Sequence, residues 1–131
     1  MHTICYLSNK VPHLDLKDIE ELFETTQRKN HSLNITGILL YLDGNFLQVL
    51  EGKKEVIGPL FDLIKEDSRH ASIFVILDKS IEERTFSDYK SGFSVVKNKS
   101  DLNNLKDYLN ATVEIKTLSK SMLGILEPFL L

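Results

Sequence analysis

A single cysteine, Cys5, rules out an intrachain disulfide framework and a thiolate-rich metal centre. No apolar run approaches the ~20 residues that cross a bilayer as a helix. The N-terminus has no basic stretch followed by a long hydrophobic one. A dominant charge is missing too: 16 basic and 19 acidic residues leave a net charge of -3, which removes any broad attraction to nucleic acid or anionic membranes. Lys97, Lys99 and Lys106 are spaced by acidic and amide residues and read as solvated surface. His2, His13, His31 and His70 lack compact metal-ligand spacing, and there is no glycine-rich phosphate cradle. No Ser-His-carboxylate arrangement stands out, and the adjacent acids Glu20-Glu21 and Glu82-Glu83 suit a surface. These absences predict a soluble, cytoplasmic protein that is not an enzyme and engages neither nucleic acid nor membrane. Its 131 residues suffice for one domain burying roughly two-thirds of its unfolded surface.

What is present alternates between strand and helix patterns. Residues 2 to 8 read as a strand, with Ile4, Tyr6 and Ser8 on one face and Thr3, Cys5 and Leu7 on the other. Asp15 with Asp18 marks a helix start, and Leu16, Ile19, Leu22 and Phe23 supply its apolar stripe to about Gln27 or Arg28. The polar run Lys29 to Asn34 reads as a loop. Two strands, 35 to 42 and 45 to 51, flank Asp43-Gly44, the residue pair of a tight hairpin. A second helix is expected over about 53 to 66 on Val56, Leu60, Leu63 and Ile64, distorted near Gly58-Pro59. Ala71 to Leu77 and a stretch from Phe86 to Val96 are further strands, and the tail offers helices at about 100 to 109 and 113 to 127. The order predicts an α+β, ferredoxin-like mixed sheet with two helices on one face and the tail over the other. The expected division is a core over 1–96 and a helical cap over 97–131.

Gln48 is the residue that this order does not absorb. It lies within Phe46-Leu47-Gln48-Val49-Leu50, a strand apolar on both faces. A buried primary amide without partners costs a few kcal/mol, so something polar must sit beside it. Alternation allows Tyr6 to meet it in the core. That pairing serves equally as a satisfied core contact or as part of a site where the amide also bonds a heteroaromatic ligand. Asn30 is a second candidate amide, and Asp67 with Arg69 reads as a tie at the exit of the second helix, with an anion site as the alternative.

Several separated segments resemble the BLUF domain, a blue-light sensor family that uses a flavin. They are Tyr6-Leu7-Ser8, Arg28-Lys29-Asn30, Ile35-Thr36-Gly37-Ile38-Leu39-Leu40-Tyr41, Gly44 to Gly52, and Asp67-Ser68-Arg69-His70, with Phe86 and Tyr89 in the late aromatic segment. The resemblance covers about residues 1 to 96 and looks like that of the short, single-domain members. It implies that Tyr6 is the photoactive donor of an electron and a proton, and that Gln48 is the amide rearranged by light. Asn30 would hold the carbonyl edge of the isoalloxazine, with Lys29, Leu63 and Asp67 also at the cofactor. Tyr89 and Ser91 would transmit the signal. FAD is the implied flavin, and a homo-oligomer or a separate protein effector the implied partner.

Three positions depart from the family pattern. Lys29 stands where asparagine or histidine often lies, Leu63 where a basic residue is frequent, and Tyr89-Lys90-Ser91 where many relatives have tryptophan and methionine at the outer positions. They motivate a competing expectation, a flavin-independent interaction module with the same fold. A small flavoenzyme is the third, and it lacks a visible substrate-side acid or base.

Overall fold

The computed structural model describes residues 1–129, the side chain of His70 excepted. Leu130 and Leu131, the end of the expected cap, lie outside the described residues. The elements run β1 (His2–Lys10), α1 (Leu16–Ser32), β2 (Thr36–Leu42), β3 (Asn45–Gly52), α2 (Lys54–Glu66), β4 (His70–Ser80), β5 (Phe93–Val96), α3 (Lys99–Thr112) and α4 (Ser119–Leu126). The five-stranded sheet has the order β4-β1-β3-β2-β5. Pairing is antiparallel except between β2 and β5, so the sheet is mixed, as expected for a ferredoxin-like α+β core with an added edge strand.

Local chemistry accounts for the hairpin at its centre. Asp43 and Gly44 have φ of 52° and 81°, the left-handed pair that a two-residue turn needs to match strand twist. The register then runs from Leu42↔Asn45 to Thr36↔Glu51. Period-two alternation sends Phe46, Gln48 and Leu50 to one face and Leu47, Val49 and Glu51 to the other. Over the first face, α1 contributes Ile19, Leu22 and Phe23, and α2 contributes Ile57, Leu60 and Phe61. Over the second, Leu102, Leu105 and Leu109 of α3 and Met122 and Leu126 of α4 close on Leu47 and Val49. The tail therefore covers the face left open by the first two helices, as expected from the lack of polar alternation.

Four expectations need correction. First, α1 continues through Lys29, Asn30 and His31 to Ser32, so that segment is helix rather than loop. Its polar side chains point to solvent, except that of Asn30, which is buried against the sheet; the turn comes later, at Asn34 with φ 57°. Second, α2 runs unbroken through Pro59. The proline lies in the second turn, and the carbonyl it deprives of a donor belongs to Glu55, an exposed residue. Its inward stripe is Ile57, Leu60 and Phe61, while Leu63 is 58% exposed. Third, the stretch 86 to 96 is not one strand. Lys90, Ser91 and Gly92 have φ of 46°, 64° and 99°, which breaks the extended chain and leaves only Phe93–Val96 to pair with β2. Fourth, the last helix begins at Ser119, residues 113 to 118 forming turns instead.

Candidate functional site

The β1–β3 register sets Tyr6 directly beside Gln48, and the β2–β3 register sets Leu39 on its other side. All three side chains are buried. The Gln48 Nε2 donates to the Tyr6 hydroxyl at 2.5 Å, and Asn30 Nδ2 donates to Gln48 Oε1 at 3.4 Å. Two separated strands and one helix thus converge in a chain of three polar groups. Both ends of the Gln48 amide have protein partners, which is what the structural reading required. The second bond is long, however; N–H···O bonds cluster near 2.9–3.0 Å. Asn30 is held close to Gln48 without being well used by it.

Asn30 and Gln48 open on a slot between α1 and α2, about 120 Å³ in volume; Tyr6 lies behind Gln48 and does not line it. α1 packs mainly on β2 and β5, and α2 on β1, β3 and β4, so the two helices straddle the sheet with the slot between them. Leu22, Leu39, Leu60 and Ile64 supply apolar walls; Asn30 and Gln48 supply polar groups. Lys29 and Leu63 stand exposed at the rim, and Asp67 and Arg69 close one end. Arg69 donates to Asp67 from Nη2 at 2.7 Å and from Nε at 3.0 Å, and its backbone N–H adds a bond at 2.9 Å. The helix-exit tie read from the sequence is present. A larger cleft of about 670 Å³ lies between the hairpin and the end of the tail, but neither Tyr6 nor Gln48 lines it. Size alone does not mark the site.

The donor set suits a planar heteroaromatic guest, with flat aliphatic walls and two carboxamides able to pair with a ring edge that both donates and accepts. The slot is narrower than the roughly 300–1,000 Å³ of preformed ligand pockets. Admitting a flavin ring therefore means moving side chains at the rim, and Leu63 is placed to move.

Burial, first of all, drives the Tyr6 phenol well above its ordinary range; the nearby Asp67 charge adds to this, and the bond from Gln48 partly offsets it. Phe61 lies against the ring at 5.3 Å between centroids. Burial likewise pushes the neighbouring Cys5 thiol up to about 12. Both groups are neutral in the folded protein and ionise more readily once unfolded. The part of the stability that these two groups contribute is therefore fully present below the ordinary thiol value of 9.0 and is lost as pH rises toward about 12. Urea unfolding at successive pH values should show a flat midpoint up to about pH 8 and a steady fall above it. Cys5→Ala should flatten the early part of that fall.

Tyr89 and Ser91 do not reach the slot. Tyr89 is buried on the tail face, its ring 4.8 Å from that of Tyr108, and Ser91 is exposed. The Tyr89 hydroxyl is buried with no hydrogen-bond partner among the described residues. An unsatisfied buried hydroxyl costs about 1–3 kcal/mol, so Tyr89→Phe should raise the unfolding free energy by about 1 kcal/mol in urea titration. Reading by sequence also missed a group. Glu51 is 0% exposed, on the same face as Leu47 and Val49. Like Gln48, that carboxylate is a polar group in a two-sided apolar strand, and the same signal could have found it.

Among the described residues no helix is long and apolar enough to cross a membrane, and no cluster of three or more His, Cys, Asp or Glu residues is arranged to hold a metal. Comparison with known proteins gives a consistent answer. The family model described as sensors of blue-light using FAD, BLUF, matches residues 1–92. The photoactivated adenylate cyclase subunit beta of Euglena longa is 34% identical over 84 residues, 64% of this chain but only 10% of the relative. Among solved structures, the dark state of BlrB, a BLUF protein, matches with TM-score 0.70 and 28% identity, covering 92% of this chain and 89% of that one. Klebsiella pneumoniae BlrP1 with FMN and cyclic diGMP matches with TM-score 0.76 and 28% identity, over 98% of this chain and 34% of that one. The cyclase is far longer than this chain, whereas BlrB is matched along most of its length. A family model matching most of the chain and a ferredoxin-like sheet shared with BLUF structures, with Gln48 lining an interhelical slot and Tyr6 bonded behind it, lead to one conclusion: the chain belongs to the BLUF family of blue-light sensors.

Proposed function

We propose that this protein holds FAD between α1 and α2 and reports blue light by reversing the hydrogen bonds of Gln48. The chain Tyr6–Gln48–Asn30, opening on an apolar-walled slot, carries the reading. Asn30 and Gln48 would hold the edge of the ring, with Leu63 and Lys29 at the rim and Asp67 at the far end. When bound, the flavin supplies absorption of blue light and a light-driven redox change. The remaining work falls to the side chains. Tyr6 keeps its proton in the dark because burial disfavours the phenolate. Its hydroxyl accepts from Gln48 Nε2 and, being a donor as well, can donate to Oε1 after the amide turns over, or to Nε2 after the amide changes tautomer. Asn30 offers both an N–H donor and a carbonyl acceptor, so it matches either amide orientation. Both neighbours of Gln48 therefore tolerate its two states, which makes the pair a switch rather than a fixed contact.

In this reading residues 1–96 are the sensor and 97–131 the cap, with Tyr89 and Ser91 passing the change toward the tail. Output runs through protein contact, within a homo-oligomer or to a separate effector in the cytoplasm, and no substrate is turned over. The test is cofactor extraction and an absorption spectrum of the purified, flavin-loaded chain before and after blue light. Bound FAD and a small reversible red shift are expected. Stable flavin without a shift would end the photoreceptor reading, and bound FMN would correct the cofactor.

A second reading has a specific observation behind it. The slot is narrow and Gln48 is already bonded at both ends, which suits a flavin-independent interaction module. Failure to take up any flavin under saturating conditions would select it.

A further inference from the structure

We propose that Glu51 is the positioning residue that couples the Tyr6–Gln48 pair to the tail, acting through the segment Arg84–Thr85–Phe86. The proposal rests on the photoreceptor reading and concerns how its signal leaves the site. Glu51 lies three residues beyond Gln48 on β3, on the opposite face of the sheet, and is fully buried.

Its carboxylate takes donors from two elements. Thr85 N–H donates to Oε2 at 2.7 Å, Phe86 N–H to Oε1 at 2.9 Å, and the Thr36 hydroxyl to Oε1 at 2.9 Å. Arg84 returns the grip, donating from Nη1 to the Thr36 hydroxyl at 2.9 Å and to the Glu51 backbone carbonyl at 3.0 Å. The other side of the same short segment belongs to the tail. The Tyr108 hydroxyl of α3 donates to the Thr85 carbonyl at 2.6 Å, and Lys116, between α3 and α4, donates to the Arg84 carbonyl at 3.3 Å. Phe86 stacks on Tyr108 with ring centroids 6.4 Å apart.

The segment is thus held by its amides to the strand of Gln48 and by its carbonyls to the tail. A carboxylate facing two consecutive backbone N–H groups makes short, charge-assisted bonds of fixed direction. A small shift of β3 must then either carry the segment with it or break bonds that have no water to replace them. The covalent route to the tail runs instead through β5, after the irregular turn at Lys90–Gly92. The bonded route begins on the strand that carries Gln48.

The experiment compares the wild-type chain, Glu51→Gln and Tyr108→Phe, all flavin-loaded. Each is measured by absorption before and after blue light, and by hydrogen exchange of residues 99–126 in dark and light. Neither residue touches the slot, so both variants should keep the red shift. The light-dependent change in exchange across the tail should fall by about two- to thirtyfold in each, the range expected of substitutions along a coupling network. Tyr108→Phe removes only a hydroxyl and keeps the test decisive if Glu51→Gln folds poorly. A wild-type tail that ignores light, or a tail response unchanged in Tyr108→Phe, overturns the proposal. Loss of the red shift from the wild-type chain itself is a different failure, that of the photoreceptor reading.

Discussion

Replacing Tyr6 with phenylalanine is expected to abolish the light-induced red shift while leaving flavin bound. The substitution keeps the ring that packs on Phe61 and removes one oxygen. That oxygen is the acceptor for Gln48 Nε2 and, in the proposed cycle, the donor to Oε1 once the amide has turned. Without it the two amide orientations lose their partner on the β1 side, and the turned state keeps Asn30 alone. The lost bond also leaves a buried amide N–H unsatisfied, at a cost of about 1–3 kcal/mol. Gln48→Ala should remove the shift by deleting the amide itself. The check is a light-minus-dark difference spectrum of each variant beside the wild type. A Tyr6→Phe protein that still shifts to the red would remove the phenol from the mechanism.

The largest effect on stability is expected at Gly37. Its φ of 145° lies where side chains are rarely tolerated, and a Cβ there would sit 1.9 Å from the Val49 carbonyl oxygen. That atom is backbone of the strand that carries Gln48, so neither side can yield without opening the β2–β3 ladder. Gly37→Ala should therefore cost about 4 kcal/mol or more, the exceptional end of single substitutions. Set against a total of about 5–15 kcal/mol for a small domain, this removes from about a quarter to most of the stability and lowers the melting temperature by about 10 °C or more. Circular dichroism with thermal melting gives the answer, and a melting temperature within a few degrees of wild type would refute it. Gly44 makes the contrast. Its φ of 81° comes from the turn alone, and a Cβ added there would have nothing within 4 Å, so Ala meets local strain and no clash.

Much of this protein is written in short-range pattern. Alternation placed Tyr6 on one face of its strand and Gln48 on one face of its own, and Asp43-Gly44 set the hairpin whose register holds Leu39 beside the amide. Composition excluded a disulfide scaffold and gave no sign of a membrane span, and the order of motifs pointed to the blue-light sensor family. These features depend on neighbours in sequence, where the period of a strand or the φ of a turn is set within a few residues.

The remainder depended on contacts between distant segments. The polarity of Lys29 to Ser32 suggests a loop, yet the helix continues, its last turn closed by bonds from the Leu33 N–H and the Ser32 hydroxyl to the Lys29 carbonyl, with Asn30 turned inward toward Gln48. Pro59 suggests a break, yet α2 holds because Ile57, Leu60 and Phe61 pack on the sheet while the bereft carbonyl lies in an exposed residue. Glu51 stands in an apolar strand as Gln48 does, but its donors come from residues 36, 85 and 86. The sequence by itself determined which side chains share a face within each strand or helix and which family the chain resembles. The tertiary structure alone decided which buried polar groups meet, because a hydrogen bond is satisfied by proximity in space and leaves no period in the chain.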